Sequence, residues 1–492
     1  MSNLNFDYVP LTFISDKQEI KKQIRNTLIL IHLFEKYNNP VRLEKLIEGT
    51  QYGYNASALQ AGKNKFLRIS DIHESKVNWE TVPYCNCNDE ETYLLKNEDI
   101  LIARTGGTTG KSFKIDSPPK HSIYAGYLIR IRAKEEVNPD YIYMFLHSFA
   151  YWSQIVNLNE RNFRPKANAE NLKSLILPDC PKSIQDEAVR ISQGEKIKGY
   201  ENLFSEIEKA LTEYDKTQEV ENLLTNQLTQ LENLNQAILQ EAVQGKLVKQ
   251  DKNDEPASEL LQRIKAEKLK SGKKEKPLPP IKPEEIPFEI PENWVWCRLG
   301  EVIQYTKNLD IQKHLSPDTI VNYVDIDAID NQNFVIREAK QKFVRELSTR
   351  ARRVLKSNFI AYSTVRPYLK NIAIIEDELE NYIGSTGFNV FKTLEVELKY
   401  AFYYLLTPYV NNSFKDLMVG FNSPSITNDQ FERSLFPLPP LSEQKRIVAE
   451  IEKQLAKTKQ LKEHIIANQQ ATEQLLKALL HQAFEVEETI EV

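Results

Sequence analysis

The sequence of 492 residues contains little cysteine and little glycine, and it has no long apolar run. Its 4 cysteines are too few for a disulfide-built scaffold, and no two of them form a C-x-x-C pair. The longest apolar run near the start, residues 27–34, is far shorter than the roughly 20 residues that a membrane helix needs. We therefore expect a cytoplasmic protein with free thiols and without a secretory signal or a membrane span.

The composition that is present belongs to an ordinary globular protein. Hydrophobic residues make up 41% of the chain and charged residues 27%, which is enough apolar material for sizeable cores. At about 150 residues per domain, the length predicts about three domains. The net charge of -5 excludes a chain that is basic throughout, so a nucleic-acid site would have to be a local basic surface.

A long internal repeat divides the chain. The segments FLRISDI, KNEDILIART and FRPKANAENLKSLILP have counterparts at an offset of 257 to 259 residues, and they begin at residues 66, 96 and 163. Such collinear order predicts two copies of one module. Each copy contains short apolar runs that predict strands and one longer stretch that predicts a helix. The predicted strands are Ile100–Ala103, Tyr127–Ile131, Phe359–Tyr362 and Ile372–Ile375, and the predicted helices are Pro139–Val156 and Glu397–Phe414.

Helical segments lie outside the two modules. Residues 16–37 place Ile20, Ile24 and Leu28 on one face of a predicted N-terminal helix. After each module, apolar residues recur at the three- and four-residue spacing of a coiled coil, and polar residues interrupt both seams. The predicted seams are Val220, Leu224, Gln227, Leu231, Leu234 and Ile238, then Ile447, Ile451, Gln454, Thr458, Leu461, Ile465, Asn468, Thr472, Leu475 and Leu479. Two such helices are expected to pack antiparallel, with a Pro-rich extended connector at residues 273–291 between them.

Basic residues concentrate at corresponding places in the two modules. Residues 337–370 contain ten basic and two acidic residues, and residues 96–134 contain eight basic and three acidic residues. A charge run is often only a solvated surface, but matching runs in both copies favour nucleic-acid binding through phosphate contacts. Loop residues beside the predicted strands form the predicted DNA-binding set. Its members are Arg104, Thr105, Lys111, Arg164 and Lys166 in the first module, and Ser363, Thr364, Arg366, Lys370, Asn422 and Ser423 in the second.

Motifs for catalysis or for a cofactor are weak. The stretch TGGTTGKS at residues 105–112 resembles a phosphate-binding loop, but Thr105 stands where the first glycine belongs. We favour a glycine-containing turn whose amides and Lys111 contact a DNA backbone. The pair Cys85-x-Cys87 is a weak metal signal, the histidines are scattered, and no catalytic signature is present. We therefore predict no catalytic residue, no metal and no cofactor in this chain.

Three segments resemble the specificity subunit of type I restriction–modification enzymes. They are Leu438–Glu450 (LPPLSEQKRIVAE), Leu234–Lys249 (LNQAILQEAVQGKLVK) and Asp254–Ile264 (DEPASELLQRI). A weaker copy of the first segment, Leu177–Ala188, keeps the proline and the glutamine but departs from the pattern at Cys180. The resemblance extends over the whole chain, because two variable modules alternate with two helical regions.

The resemblance implies a non-catalytic DNA-recognition subunit that acts in phage defence. Each module would be a target recognition domain that reads one half of a bipartite, asymmetric double-stranded DNA site, and the helices would set the spacer. The chain would assemble with two modification subunits, which bind S-adenosylmethionine and methylate adenine. Restriction subunits that use ATP and Mg²⁺ would add translocation and cleavage.

Together, these observations predict an α+β fold with two strand-rich target recognition domains, two long antiparallel coiled-coil helices and a pseudo-two-fold internal repeat. The predicted segments are a helical segment at 1–39, recognition domains at 40–180 and 287–440, a central region at 181–286 and a C-terminal helix at 441–492. Two alternatives remain. A coiled-coil scaffold with protein-binding heads would show no salt-dependent DNA binding, and a nucleotide-binding enzyme would bind ATP or S-adenosylmethionine as an isolated chain.

Overall fold

The structure is a computed structural model that describes residues 17–73, 76–157, 167–270, 277–376, 381–420 and 422–482. It divides into two compact units: the first comprises residues 1–223 with 468–492, and the second comprises residues 224–467. Both division points lie inside long helices. The segment boundaries predicted from the sequence lie between helices and strands instead. The division into two units does not test them, so they remain predictions.

The first unit contains the N-terminal helix and the first module. Its elements in chain order are α1 (Lys17–Tyr37), β1 (Pro40–Arg42), β2 (Ile47–Tyr52), β3 (Asn64–Leu67), β4 (Ile72–His73), β5 (Lys76–Val77), β6 (Tyr84–Cys85), α2 (Glu90–Tyr93), β7 (Ile100–Ala103), β8 (Ser112–Lys114), β9 (Ser122–Tyr124), β10 (Leu128–Ala133), α3 (Pro139–Leu146), α4 (Phe149–Asn157), α5 (Ala169–Ser174), β11 (Ile176–Pro178), α6 (Lys182–Ser192) and α7 (Glu201–Val243). The last of these helices continues into the second unit.

The second unit contains the second module and parts of both long helices. Its further elements are α8 (Ala257–Lys270), β12 (Val295–Arg298), α9 (Leu299–Val302), β13 (Ile303–Tyr305), α10 (Ile311–His314), β14 (Ile320–Val324), β15 (Ile329–Asp330), β16 (Val335–Ile336), β17 (Lys340–Phe343), β18 (Ala351–Val354), β19 (Phe359–Ser363), β20 (Ile372–Ile375), β21 (Tyr382–Ser385), β22 (Phe388–Thr393), α11 (Leu398–Leu405), α12 (Pro408–Lys415), α13 (Asn428–Arg433), β23 (Leu435–Leu438) and α14 (Leu441–Gln482).

The two modules share one strand order, which confirms the internal repeat. The main sheet of the first module has the order β2-β10-β7-β8, and that of the second has the order β13-β22-β19-β20. A smaller sheet pairs β3 with β9 in parallel, as β14 pairs with β21. A two-stranded ribbon closes each module, formed by β1 with β11 and by β12 with β23. The strand runs are apolar and β-branched, and β7 is buried along its whole length, as expected for central strands.

Buried polar contacts repeat as well, at positions 259 residues apart. The hydroxyl of Tyr141 donates to the carbonyl oxygen of Pro178 at 2.7 Å, and that of Tyr400 donates to Pro437 at 2.9 Å. Gln185 and Gln444 each accept a hydrogen bond from a backbone N–H and donate one to a backbone carbonyl. The weaker signature at residues 177–188 therefore has the same helix register as the stronger one at 438–450.

The helix predicted in each module is interrupted by one capping residue. His147 and Ser148 separate α3 from α4, and Oγ of Ser148 accepts a hydrogen bond from the backbone N–H of Tyr151 at 3.2 Å. Leu406 and Thr407 separate α11 from α12, and the Thr407 side chain accepts a hydrogen bond from the backbone N–H of Val410. A hydroxyl at this position satisfies an otherwise free N–H and starts a new helix, so each stretch forms two short helices.

The long helices follow both module regions, as predicted, and α7 with its 43 residues is about 65 Å long. The predicted seam on α7 is partly wrong, because Leu234 is 47% exposed and Val220 is 43% exposed. One row of buried and half-buried side chains falls on strict four-three spacing, which is the period of a coiled coil, and Leu239 and Val243 are buried beside it. The row consists of Leu224, Leu228, Leu231, Asn235, Ile238 and Ala242.

A polar pair sits within the seam of the second unit. The hydroxyl of Thr458 on α14 donates to Oδ1 of Asn235 on α7 at 2.7 Å. Farther along, Nε2 of Gln250 donates to Oε1 of Glu443 at 2.5 Å. Gln250 follows Asn235 along the chain, whereas Glu443 precedes Thr458, so the two segments run antiparallel. A buried polar pair of this kind specifies register at some cost in stability.

Candidate nucleic-acid interface

Three segments of the first module meet at one end of its main sheet. The backbone N–H of Arg104, directly after β7, donates to the carbonyl oxygen of Tyr127 at 2.9 Å. The carbonyl oxygen of Arg104 accepts a hydrogen bond from Ala167, which precedes α5, at 3.1 Å. The carbonyl oxygen of Ala103 accepts one from Gly110 at 2.8 Å, which closes the loop that follows β7. We call this meeting of residues 104–111, 125–127 and 167–168 the first loop face.

The second module forms the equivalent arrangement, which we call the second loop face (residues 364–366, 386–387 and 422–426). Here the N–H of Thr364 donates to Gly387 at 2.8 Å, and the N–H of Ile426 donates to Thr364 at 3.0 Å. The N–H of Arg366 also donates to Pro424 at 2.8 Å. The repeat therefore brings the predicted loops together in both modules, although they are far apart in sequence.

The described first-module members of the predicted set lie at the first loop face. Arg104 is exposed, and its guanidinium lies 4.8 Å from the centre of the Tyr52 ring, within the range of a cation–π contact. Lys111 is exposed, and its carbonyl oxygen accepts a hydrogen bond from Ala103, so it lies beside the end of β7. Thr105, which follows Arg104 in the sequence, is half-buried. Arg164 and Lys166 lie outside the described residues.

The second loop face carries Arg366, Asn422 and Ser423. All three are exposed, and Nη2 of Arg366 donates to the carbonyl oxygen of Asn422 at 2.8 Å. Arg366 has φ of 49°, a left-handed conformation that is uncommon outside glycine and is found preferentially at functional loops. The arrangement presents a guanidinium, an amide and a hydroxyl side by side, which are groups that can contact base edges and phosphates.

Ser363 and Thr364 do not present their hydroxyl groups at this face. Ser363 is 1% exposed and donates to the carbonyl oxygen of Val365 at 2.8 Å. Thr364 is 7% exposed and donates to the carbonyl oxygen of Gly387 at 3.0 Å. Both hydroxyl groups therefore help to hold the loop in place.

Lys370 occupies a different environment from Arg366. It lines a groove of about 1900 Å³ between the second module and the long helices, together with Arg337 and Lys462. Arg366, Asn422 and Ser423 do not line this groove. The structure therefore brings part of the predicted second-module set together and places Lys370 apart from it.

Several basic residues of the two basic stretches, residues 96–134 and 337–370, form contacts within the protein. Arg337 pairs with Asp330 at 2.8 Å, and Arg345 pairs with Asp318. Burial lowers the pKa of the Arg353 guanidinium, which donates to Asn308. In contrast, Arg104, Lys111, Arg350 and Arg366 form no ion pair with any residue that the structure describes. The charge available to a ligand is thus smaller than the sequence count, and part of it lies at the loop faces.

Two residues at the loop faces were missed by the sequence analysis. Tyr127 was assigned to a strand, but it precedes β10 and its side chain is 68% exposed. Arg350 is exposed, and its carbonyl oxygen accepts a hydrogen bond from Thr386 at 2.8 Å, which places it at the second loop face. The adjacent Gly126 was the available signal that the chain turns before Tyr127.

The geometry gives no support to a nucleotide or metal site. Residues 105–111 lead into the strand β8, whereas a phosphate-binding loop leads into a helix whose N-terminus binds the phosphate. Burial raises the pKa of the Cys85 thiol to about 11, which disfavours the thiolate that binds metals. Among the described residues, no group of three or more His, Cys, Asp or Glu could hold a metal ion. Within the same residues, no helix has the length and apolar character to span a membrane.

Parts of the sequence are similar to known proteins, and the segment that contains the second loop face is among them. Residues 291–468 match the family described as type I restriction modification DNA specificity domain. The EcoAI specificity subunit of Escherichia coli is 35% identical over 254 residues, which are 46% of this chain and 40% of that protein. The EcoEI specificity subunit of Escherichia coli is 31% identical over 261 residues, which are 51% of this chain and 43% of that protein. The chain thus spans less than half the length of these two relatives.

A solved structure supports the same fold over most of the chain. One chain from a study of complex assembly and conformational transition of the type I R-M system aligns with a TM-score of 0.51. It covers 91% of this chain and 97% of its own length at 17% sequence identity, so it supports the fold alone. The match within residues 291–468 includes the whole second loop face. Within these residues, the chain is therefore similar to type I restriction–modification DNA specificity domains.

Proposed function

We propose that this chain is the DNA sequence-specificity subunit of a type I restriction–modification complex and has no catalytic activity of its own. The observation that carries the proposal is the repeated loop face. Two modules with the same strand order bring equivalent loops together and then expose different side chains on them. The second of these modules lies in the segment that matches a DNA specificity domain.

The differences between the loop faces support a bipartite, asymmetric double-stranded DNA site. The first loop face exposes Arg104 and Lys111, and the second exposes Arg366, Asn422 and Ser423. Phosphate contacts position a protein on DNA, whereas amide, hydroxyl and guanidinium groups distinguish base edges. Modules with unlike surface groups would select unlike half-sites, so the target need not be a palindrome.

The DNA-contacting set that we propose keeps the predicted residues whose side chains are exposed or half-buried. It retains Arg104, Thr105, Lys111, Arg366, Lys370, Asn422 and Ser423, keeps Arg164 and Lys166 as sequence-based members, and adds Arg350. Ser363 and Thr364 are proposed to position the second loop face, because their hydroxyl groups are bound internally.

The long helices are proposed to set the spacer between half-sites. A helix of about 65 Å is ample for half-sites one helical turn of DNA apart, which is about 34 Å. The hydrogen bond between Thr458 and Asn235 supports a fixed register within the second unit. A fixed register would give one spacer length, because a slip along the seam would move the modules in steps of one heptad, about 10 Å.

The partners proposed for the chain are two modification subunits and, in the full complex, restriction subunits. The modification subunits would bind S-adenosylmethionine and methylate adenine, and the restriction subunits would use ATP and Mg²⁺, all in the cytoplasm. Exposed leucines on the long helices, namely Leu223, Leu461 and Leu475, support docking of further protein there.

The test is to co-express the chain with its modification subunit and to map methylated adenines across the host genome. We expect one bipartite motif with a fixed gap, and we expect that exchange of residues 40–180 changes one half of it. A stable complex that methylates no motif and shows no salt-dependent DNA binding would overturn the proposal and favour the coiled-coil scaffold.

A further inference from the structure

Tyr127 is an exposed aromatic residue on a rigid turn. Its side chain is 68% exposed, while its backbone is held on both sides. Gly126 donates to the carbonyl oxygen of Tyr54 at 2.9 Å, and Leu128 donates to Ala125 at 2.9 Å. The carbonyl oxygen of Tyr127 itself accepts a hydrogen bond from Arg104. The ring is therefore presented to solvent from a fixed position, and binding a ligand would require little further ordering of the backbone.

Close packing beneath the turn holds its backbone against the residue that follows β2. A Cβ atom on Gly53 would lie 2.2 Å from the carbonyl oxygen of Ala125, so only glycine permits this approach. The N–H of Gly53 also donates to the carbonyl oxygen of Leu128 at 3.1 Å. The strand β2 and the turn at residues 125–127 thus form one rigid platform.

Cationic and aromatic groups adjoin Tyr127 on this platform. Arg104 is bonded to it through the backbone and stacks on the ring of Tyr52, whose hydroxyl accepts a hydrogen bond from Ala169 at 3.1 Å. Lys111 lies across the loop beside Ala103. Aromatic rings next to arginine and lysine are the groups that stack on bases and neutralise the adjoining phosphates. A protein partner with an apolar surface would not use the two cations.

The second module lacks this feature. The hydrogen bond from Thr364 to Gly387 corresponds to the bond from Arg104 to Tyr127, so a glycine stands where the first module has tyrosine. A Cβ atom on Gly387 would lie 2.9 Å from Cδ1 of Ile326 and 3.5 Å from Cγ2 of Val365, which directs it into the module. At this one position, the first module therefore carries an exposed ring and the second carries no side chain, and the exposed Tyr368 of the second module lines the groove with Lys370 instead.

We propose that Tyr127 inserts against the bases of duplex DNA at the half-site read by the first module, and that it partly unstacks one base step there. This inference rests on the proposed function and adds a mechanism to it. Apolar wedges that unstack a step make binding depend on how easily that step deforms, and pyrimidine–purine steps deform most easily. The first half-site would then be selected partly by deformability, and the second by polar contacts alone.

The experiment uses the full complex of this chain with its modification subunits. The probe is a DNA duplex that carries the motif obtained by methylation mapping. The half-site of the first module is the half of this motif that changes when residues 40–180 are exchanged. 2-Aminopurine is placed at each base step of that half-site in turn. The variants are Tyr127→Ala and Tyr127→Phe, and the matched control is Ile176→Ala, which shortens an exposed apolar side chain on β11. Affinity is measured over a range of salt concentrations.

We expect the wild type, Tyr127→Phe and Ile176→Ala to raise 2-aminopurine fluorescence at one step, and Tyr127→Ala to lose this signal. Affinity of Tyr127→Ala should fall about five- to hundredfold, the range for losing one base–aromatic stack, with an unchanged salt slope because no charge is removed. If Tyr127→Ala matches Ile176→Ala in both readouts while the complex still methylates its motif, the inference is wrong and the proposed function stands. A loss of complex assembly in Tyr127→Ala without a change in DNA binding would assign the ring to a protein contact and also overturn the inference. A wild-type complex that binds no DNA would refute the proposed function itself.

Discussion

Replacing Gln444 with alanine should lower the free energy of unfolding of the second unit, because its buried amide joins a long helix to the second module. The side chain is fully buried in the first turn of α14. Its Oε1 accepts a hydrogen bond from the N–H of Glu397, which directly precedes α11, at 2.8 Å. Its Nε2 donates to the carbonyl oxygen of Pro439 at 2.8 Å. Alanine would leave both backbone groups buried without these partners.

The size of the effect follows from the two groups. A buried polar group without its partner costs about 1–3 kcal/mol, so we expect Gln444→Ala, which affects two such groups, to lose about 2–6 kcal/mol. For a cooperative unit of this size, each kcal/mol lowers the melting temperature by about 2–4 °C. The calorimetric transition of the second unit should therefore fall by about 4–24 °C.

The internal repeat provides the matched variants. Gln185→Ala removes the equivalent bonds to Asn138 and Cys180 in the first unit and should produce a loss of similar size. Gln454→Ala is the control, because Gln454 is half-buried and bonds the side chain of Glu450 on the same helix. Its effect should stay within about 0.5 kcal/mol. If Gln444→Ala is no more destabilising than this control, the amide does not join the helix to the module and the reasoning fails.

Three further predictions concern the second unit. Burial raises the pKa of Glu443, so the folded state takes up a proton more readily than the unfolded state. Relative to Glu443→Gln, the wild type should therefore gain stability as the pH falls through the folded pKa. Urea unfolding measured across pH would contradict this if the difference in stability between the two proteins stayed flat or reversed. Arg366→Ala should weaken binding of the mapped motif several-fold, and it should reduce the salt slope by about 1 where Arg366 contacts a phosphate. The control Arg433→Ala, which removes a side chain paired with Asp429, should do neither. If the two variants bind DNA equally well, Arg366 is not part of the site. Replacing Asn235 and Thr458 together with leucine and isoleucine should raise the free energy of unfolding and allow more than one spacer length in a methylation map, and a single unchanged spacer would show that the register has another origin.

Patterns of local apolar residues predicted the strands closely. The bounds of β7 and β20 agree with the runs Ile100–Ala103 and Ile372–Ile375, because short β-branched runs between turns have few alternatives in a packed module. The internal repeat was equally visible, since its segments keep one order and offset. These features depend on local sequence and on order along the chain.

Features that depend on tertiary packing were predicted less well. Leu234 is apolar but exposed, whereas the neighbouring Asn235 lies in the seam because Thr458 supplies a hydrogen-bond partner. Ser363 and Thr364 have the residue types of a DNA site, but neighbouring carbonyl groups bind their hydroxyls. Charge counts could not reveal which arginines pair with acidic residues far away in sequence, as Arg345 does with Asp318.

The repeat separates the residues that hold the fold from those that differ between modules. Tyr141 and Tyr400 occupy equivalent buried positions and make the same hydrogen bond to a proline carbonyl. At the loop faces, Tyr127 corresponds to Gly387, where no side chain is presented. Buried groups that lose their partners cost far more stability than exposed side chains that change, so loop residues can vary while the scaffold is retained. One scaffold used twice can therefore present two unlike sets of exposed side chains, since these side chains contribute little to the stability of either unit.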